Sequence, residues 1–264
     1  FEGSGMNVLL DVLAYNTHYL GYNANMLANE MFLDSADQRS SVVSLAKQVG
    51  YTPKSATSSK ATIDVVLDNA TGASVTMSRG TKFTTTVNAT NYSFVNNADV
   101  TISPQDGVYK FSNLDIYEGT YLNYKYTANT SDTDQRFIIP NDFVDTATLT
   151  VKVQESSSDS TTNTYTLSTG VTGIDSTSKV YFLQEVENGR YEVYFGDGVI
   201  GQSIKDGNIV ILDYITCNLD EPNNASAFTL SGTIGGFQLV TITTLINANN
   251  GSSPETIKSI KYNA

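Results

Sequence analysis

The chain has 264 residues, enough to bury a sizeable core and to form more than one domain. Its formal net charge of -12 argues against a nucleic-acid surface, because phosphate binding requires clustered Lys and Arg. The acidity fits solubility, or complementarity to a basic neighbour. The single Cys217 excludes an internal disulfide and fits a reducing compartment during assembly. No apolar run reaches the ~20 residues that cross a bilayer, so we expect no membrane partner.

Residues 5–31 predict a helix with two apolar faces. The first face carries Met6, Leu9, Leu10, Leu13, Leu20, Ala24, Leu27, Ala28 and Met31. The second face carries Val8, Val12, Tyr15, Tyr19, Tyr22 and Met26, spaced alternately by four and three residues. At about 100° per residue the two faces lie roughly 145° apart.

A polar strip between these faces is thin and includes Asn7, Asp11 and His18. Leaving the second face in water would forfeit on the order of 10 kcal/mol, so something must cover it. One possibility is this chain's own β domain or second helix. The other possibility is a helix of another subunit.

A second helix is predicted after residue 35, where Ser35 and Gln38 fit a capping box. Its apolar stripe comprises Val42, Leu45, Ala46 and Val49. Gly50 is placed to end the helix. The two helices together predict a helical arm, shaped as a hairpin or a bent arm, over residues 1–52.

After residue 60 the apolar period changes to two, which indicates strands. The predicted strands are residues 63–67, 81–87, 100–103, 121–127, 137–139, 149–153, 179–187, 190–195, 209–215, 228–230 and 237–246. Asn188-Gly189 predicts a hairpin between two of them. The fold class is therefore α+β, with mostly antiparallel β domains after the arm.

A polar stretch divides the β part of the chain in two. Residues 155–163 are nearly all Ser, Thr and Asp and offer nothing to bury, which predicts a flexible loop. We accordingly expect a first β region over 53–154, a connection over 155–177 and a second β domain over 178–264.

A glycine-rich corner follows the predicted strand at residues 190–195. Gly196, Asp197, Gly198 and Gly201 form it, and glycine permits backbone angles that a Cβ disfavours. The arrangement of strand, corner and strand is typical of a segment that serves packing. It contains no nucleophile with a partner base.

Catalytic chemistry finds little support elsewhere in the sequence. His18 is the one histidine, which excludes a catalytic triad or a histidine-rich metal site in this chain. Four carboxylates lie along the predicted central hairpin, Glu185, Glu187, Glu192 and Asp197, and a glycosidase needs two acids flanking a cleft. Acids on a hairpin more often form a solvated face. We expect no catalytic residue, no cofactor and no metal ion.

Several segments resemble a known family in the same order along the chain. The glycine corner with Tyr214 resembles the core of baseplate J-like proteins. Residues 135–141, Gln-Arg-Phe-Ile-Ile-Pro-Asn, narrow the resemblance to baseplate wedge proteins of T-even-like contractile-tailed phages. The amino-terminal segments at 13–16, 25–30 and 32–34 and the closing segment at 251–257 extend it over nearly the whole chain.

The resemblance implies a structural subunit of the virion tail baseplate, assembled in the host cytoplasm. Such a subunit would pair with itself, as a dimer within a wedge, and with other wedge proteins. The second face would then belong to an intersubunit bundle. Because the chain begins without Met and stops at Asn263-Ala264, we expect it to be part of a longer polypeptide. A carbohydrate-binding or adhesin-like β module, favoured by the Tyr- and Thr-rich composition alone, is the alternative.

Overall fold

A computed structural model describes residues 5–264 and has an α+β fold. The helices are α1 (Gly5–Glu30), α2 (Arg39–Gln48) and α3 (Ile257–Asn263). The strands are β1 (Lys60–Leu67), β2 (Val75–Met77), β3 (Lys82–Val87), β4 (Thr90–Asn96), β5 (Val100–Ile102), β6 (Tyr109–Glu118), β7 (Thr120–Thr127), β8 (Phe137–Ile138), β9 (Val144–Ser156), β10 (Asp159–Leu167), β11 (Val180–Glu185), β12 (Tyr191–Phe195), β13 (Ile209–Thr216), β14 (Thr229–Ser231) and β15 (Val240–Asn249).

The chain forms two compact units. Unit 1 contains the residues up to Pro53, together with Glu185–Asn188 and Glu255–Ala264. Unit 2 contains Lys54–Gln184 and Gly189–Pro254. The first four residues of the predicted arm lie outside the described residues.

The helical arm in unit 1 is one long helix, so the prediction of a two-helix arm is wrong. Helix α1 buries none of its residues, whereas the short helix α2 buries Val42, Val43 and Ala46. These side chains cluster with Ile260 of α3. The small apolar stripe of α2 therefore pairs with a helix from the far end of the chain. No local pattern in the sequence could indicate that partner.

The start of α2 also differs from the predicted capping box. Gln38 occupies the N-cap position without a side-chain cap, and Ser35 Oγ donates instead to the Asn29 carbonyl oxygen at 2.6 Å. The Glu30 carboxylate accepts instead from the backbone N–H of the N-cap residue Gln38 at 3.3 Å, and from that of Asp37 before it at 2.9 Å. A carboxylate at this end of α2 is also favoured by the helix dipole. At the other end, Gly50 has a φ of +83° and closes the helix, as predicted.

Unit 2 contains two large sheets and one small one. The six-stranded sheet has the order β14-β3-β4-β6-β1-β15, the seven-stranded sheet has the order β7-β13-β9-β10-β11-β12-β8, and β2 pairs with β5. Antiparallel pairs include β1 with β6, β3 with β4, β9 with β10 and β9 with β13. Strands β10 and β11 run parallel. Each large sheet packs its own apolar core.

The two large sheets are assembled differently along the chain. All seven strands of the second sheet come from the continuous segment between Thr120 and Thr216. The six-stranded sheet takes strands from both sides of that segment, so the chain enters the second sheet after Glu118 and leaves it after Thr216. Residues 155–177 do not separate the sheets.

The flexible loop predicted for residues 155–163 is also wrong. Strands β9 and β10 form a hairpin there, pairing Ser156 with Asp159 and Val153 with Asn163. Tyr165 is the one buried residue of β10, while β9 buries six of its residues, including Val151 and Val153. A polar strand is stable here because its ladder hydrogen bonds and its neighbours, and not its own side chains, supply the stabilisation. The predicted hairpin turn at Asn188-Gly189 is confirmed, with φ values of 61° and 72°.

Candidate assembly interface

Helix α1 is exposed around its whole circumference. On the second face the exposed fraction of the side chains runs from 41 % at Met26 to 65 % at Tyr15. On the first face the leucines at 9, 10, 13, 20 and 27 are exposed to a similar extent. Within the described part of unit 1, the second helix α2 covers neither face. The predicted alternative in which the second helix of this chain covers the second face therefore does not occur among those residues.

Aromatic side chains on the second face contact one another along the helix. The rings of Tyr15 and Tyr19 lie 4.5 Å apart, and the Tyr15 hydroxyl donates to the Tyr19 hydroxyl at 3.0 Å. This hydrogen bond raises the pKa of Tyr15 above its usual range. His18 lies edge-on to the Tyr19 ring, with centroids 6.2 Å apart, and is otherwise exposed to solvent. The face therefore presents a line of rings that already contact each other.

Charge is sparse on α1 even though the chain is strongly acidic. Its 26 residues include two carboxylates, Asp11 and Glu30, and no Lys or Arg. Glu30 is engaged at the start of α2, where hydrogen bonds from the Ser41 side chain and the Asp37 backbone lower its pKa. Most of the helix therefore presents neither attraction nor repulsion to another acidic surface.

The glycine corner is a tightly closed loop after β12. A Cβ on Gly196 would lie 2.2 Å from the Ile200 carbonyl oxygen, so no side chain fits there. Gly198 and Gly201 have φ values of +91° and +83°, and Gly198 N–H donates to the Gly201 carbonyl oxygen at 3.0 Å. These contacts explain the three glycines as requirements of closure.

Asp197 stabilises the same loop from within. Its Oδ1 accepts from the backbone N–H groups of Val199 and Ile200, each at 2.9 Å. These bonds, that of Ile200 first, lower the pKa of Asp197. The carboxylate therefore has a structural task in the loop.

Two of the other carboxylates singled out in the sequence, Glu192 and Glu185, pair with different cations. Arg136 binds Glu192 through two nitrogens at 3.0 and 2.8 Å, and Gln184 donates to it at 2.7 Å. Within unit 1, Arg39 binds Glu185 in the same two-pronged way at 2.7 and 2.8 Å. Glu187 is exposed. A carboxylate whose two oxygens are bonded to a guanidinium is poorly placed to transfer a proton to a substrate.

The remaining candidates for chemistry are similarly placed. Cys217 is buried, its Sγ lies 3.5 Å from the Phe143 carbonyl oxygen, and burial raises the thiol pKa. A thiol with a raised pKa is a weak nucleophile. Residues 5–264 hold no group of three or more His, Cys, Asp or Glu placed to bind a metal ion. None of the helices in that range has the length and apolar character required to span a bilayer.

Two structural features were missed from the sequence. Glu30 caps a helix that begins nine residues later, and no short motif spans that distance. Val199 and Ile200 project from the tip of the glycine corner, with exposed fractions of 72 % and 40 %. Here a signal was present, because two β-branched aliphatic residues between glycines are unusual for a turn.

Two family models of baseplate wedge proteins match parts of this chain. Residues 1–51 match a family model described as the helical domain of baseplate wedge protein gp6-like proteins. Residues 124–225 match the model of the third domain of bacteriophage baseplate wedge protein gp6. Baseplate wedge protein gp6 of Enterobacteria phage T4 is 28 % identical over 287 aligned positions, which cover 99 % of this chain. The chain resembles the baseplate wedge proteins.

The residue ranges that the two family models match correspond to separate structural elements of the chain. The helical-domain model covers α1 and α2, and the third-domain model covers nearly all of the seven-stranded sheet. The third-domain model also includes the glycine corner. The chain spans 42 % of the length of the T4 relative.

Proposed function

We propose that this chain is part of a structural subunit of a phage contractile-tail baseplate wedge, and that α1 forms an intersubunit bundle. The observation that carries the proposal is a 26-residue helix with two apolar faces and no buried residue. The resemblance of residues 1–51 to the helical domain of wedge proteins supports it.

The energetics favour assembly through both faces. Burying one large apolar side chain contributes about 1.5–3 kcal/mol. The second face alone offers Val8, Val12, Tyr15, Tyr19, Tyr22 and Met26. Because the two faces point in nearly opposite directions, a single neighbouring helix would cover one of them. We therefore propose contact with at least two neighbours.

The proposed partners are a second copy of this chain and other wedge proteins. Two copies with a net charge of -12 each repel one another. Helix α1, with two carboxylates of which Glu30 is already engaged, is where two such copies can approach at low electrostatic cost. A dimer within the wedge would use this helix.

The proposal also covers catalysis, the location of the protein and its subfamily. We propose that the chain catalyses no reaction, since Glu185, Glu192 and Asp197 are engaged in structural bonds. The buried Cys217 thiol is compatible with assembly in the host cytoplasm, followed by a place in the virion tail baseplate. The close-packed glycine corner supports membership of the baseplate J-like branch.

A triple substitution tests the assembly role. Changing Tyr15, Tyr19 and Tyr22 to Ser removes the rings of the second face, and we expect loss of self-association and of co-purification with the other wedge proteins. Circular dichroism should show an unchanged β contribution. The matched control changes Asn7, Asn25 and Asn29 to Ser, which puts three serines on the polar strip of the same helix. Unimpaired assembly of the tyrosine variant, or equal loss in the control, would overturn the interface.

A further inference from the structure

The tip of the glycine corner combines a fixed backbone with exposed aliphatic side chains. Four contacts fix the backbone: Asp197 accepts from Val199 and Ile200, Gly198 bonds Gly201, and Gly201 N–H donates to the Asp175 carbonyl oxygen at 3.0 Å. Gly196 leaves no space for further closure or for a Cβ. The loop is therefore constrained before any partner is present.

The side chains that this constrained loop exposes to solvent are apolar. Val199 is 72 % exposed and Ile200 is 40 % exposed. Tips of turns are ordinarily occupied by Gly, Pro, Asn, Asp and Ser, which bond their own backbone or solvent. Packing within the chain does not account for a valine with most of its surface in solvent.

We propose that Val199 and Ile200 form a preformed docking knob, which inserts into an apolar depression on another baseplate protein. This inference rests on the proposed function and deepens it by assigning a second contact surface in unit 2. A preformed loop loses little conformational entropy on binding, so even a small apolar contact adds usefully to affinity.

The chemistry of the tip selects a protein partner. Residues 198–204 include no charged side chain. The one carboxylate, Asp197, is engaged by two backbone N–H groups. A phosphate or a nucleic acid would find no cation there, and a sugar would find no aromatic platform. An aliphatic pocket on a protein would gain from burying both side chains.

Charge around the knob favours a partner other than a second copy. The corner and the loop bonded to it, residues 196–208 and 168–178, carry three carboxylates, Asp175, Asp197 and Asp206, against Lys205, a net charge of -2. A second copy would bring another acidic body to this site. We therefore commit to a different wedge protein, whose apolar depression has a neutral or basic rim.

The size of the knob sets the expected effect. Two aliphatic side chains are far less than the ~800 Å² per partner of a stable interface, so the knob supplements the contact made by α1. Losing one buried valine should weaken binding about tenfold.

The experiment compares two exposed valines in the full chain. Val199→Ser removes the knob, and Val108→Ser, in the connection between β5 and β6 and 49 % exposed, is the matched control. Dissociation constants are measured against each other wedge protein of the same phage, purified singly, with thermal unfolding recorded for both variants. We expect about tenfold weaker binding of one such protein for Val199→Ser, no change for Val108→Ser and unchanged unfolding temperatures.

A third variant tests whether preorganisation matters. Asp197→Ala keeps both aliphatic side chains and removes the carboxylate that holds their backbone, and we expect it to weaken the same complex. Equal affinity of Val199→Ser and wild type overturns the knob, and equal affinity of Asp197→Ala overturns its preorganisation. Weaker self-association of Val199→Ser, with unchanged binding to other wedge proteins, overturns the choice of partner. If the wild-type chain bound no wedge protein at all, the proposed function itself would fail, which is a separate result.

Discussion

Glu118 accepts two hydrogen bonds from Asn218, one from its backbone N–H at 2.9 Å and one from its side-chain amide at 2.7 Å. Glu118 ends β6 of the six-stranded sheet, and Asn218 follows β13 of the seven-stranded sheet. The pair therefore joins the two places where the chain passes between the sheets. Gly119, between β6 and β7, fits there because a Cβ would lie 2.0 Å from the Thr216 carbonyl oxygen.

Replacing Glu118 by Gln should remove one pH-dependent contribution to stability. Glu118 is fully buried, and burial raises its pKa, although the N–H groups of Asn218 oppose the rise. A carboxylate with a raised folded-state pKa destabilises the fold while ionised. The destabilisation therefore shrinks, and the free energy of unfolding rises, as pH falls through the raised pKa. The change levels off below about pH 4.3, the ordinary pKa of glutamate.

Chemical denaturation of wild type and Glu118→Gln at several pH values measures this effect. The variant can keep both bonds if the Asn218 amide turns over, so its advantage should be largest at neutral pH and shrink towards acid. Glu187→Gln, at an exposed glutamate, is the control and should show no such trend. A difference between wild type and Glu118→Gln that is constant with pH would contradict the argument.

Asp213 should show the opposite dependence. Burial alone would raise its pKa, but hydrogen bonds from Asn123 and Tyr121 and the Lys152 ammonium hold the pKa below its ordinary range. Arg79 also pairs with it at 3.3 Å, and both side chains are nearly buried. Its stabilisation is present above the ordinary aspartate pKa and is lost as pH falls through the lowered value.

Asp213→Asn should therefore cost about 3 kcal/mol of unfolding free energy near pH 7, because it leaves buried cations without their carboxylate. The cost should diminish in acid, where the wild-type carboxylate protonates. Urea titrations at neutral and acidic pH measure both quantities, with the exposed Asp106→Asn as control. A neutral-pH cost below that of the control would show that Asp213 is dispensable.

Local patterns explain which elements the sequence predicts. The helix at residues 5–31 and strand β1 follow from apolar periods, and strands β3, β12 and β13 follow from their β-branched and aromatic residues. The turn at Asn188-Gly189 follows from its residue types. Strand β6 escaped prediction because a bulge beside Asn113, whose φ is 52°, breaks the alternation between Phe111 and Leu114. Strand β10 escaped because it is polar.

Long-range partners explain what the sequence does not predict. The packing of α2 on Ile260, the crossing at Glu118 and Asn218, and the Glu30 cap each join residues that no repeat or motif connects. The candidate interface likewise has features that local sequence predicts and features that depend on the folded structure. The apolar faces of α1 and the glycines of the corner are local features, whereas the exposure of Val199 depends on how the loop closes.

Gly196→Ala should be strongly destabilising because of close backbone contacts. The new Cβ would lie 2.2 Å from the Ile200 carbonyl oxygen and 2.4 Å from that of Gly201. Backbone atoms cannot rotate away as a side chain can, so we expect a loss of about 3 kcal/mol in thermal or urea unfolding. Gly170→Ala is the control, since its Cβ would meet nothing within 4 Å and its φ is not in the left-handed region. Equal stability of the two variants would mean that the corner opens freely.

Ala89→Gly should stabilise the protein. Asn88 and Ala89 connect β3 to β4 between the paired residues Val87 and Thr90, and both have positive φ, 50° and 66°. Such two-residue turns favour Asn-Gly, because a Cβ at positive φ clashes with its own backbone. Relief of that clash outweighs the extra freedom that glycine gives the unfolded chain, for a net gain of about 0.5–1 kcal/mol.

The control for this substitution is Ala98→Gly, at an exposed alanine without positive φ, where glycine brings only the entropic cost. The urea concentration at the midpoint of unfolding should therefore rise for Ala89→Gly and fall for Ala98→Gly. A downward shift at both positions would mean that the turn between β3 and β4 stores no strain. The geometry of that turn would then be set by the pairing of β3 with β14 and of β4 with β6 alone.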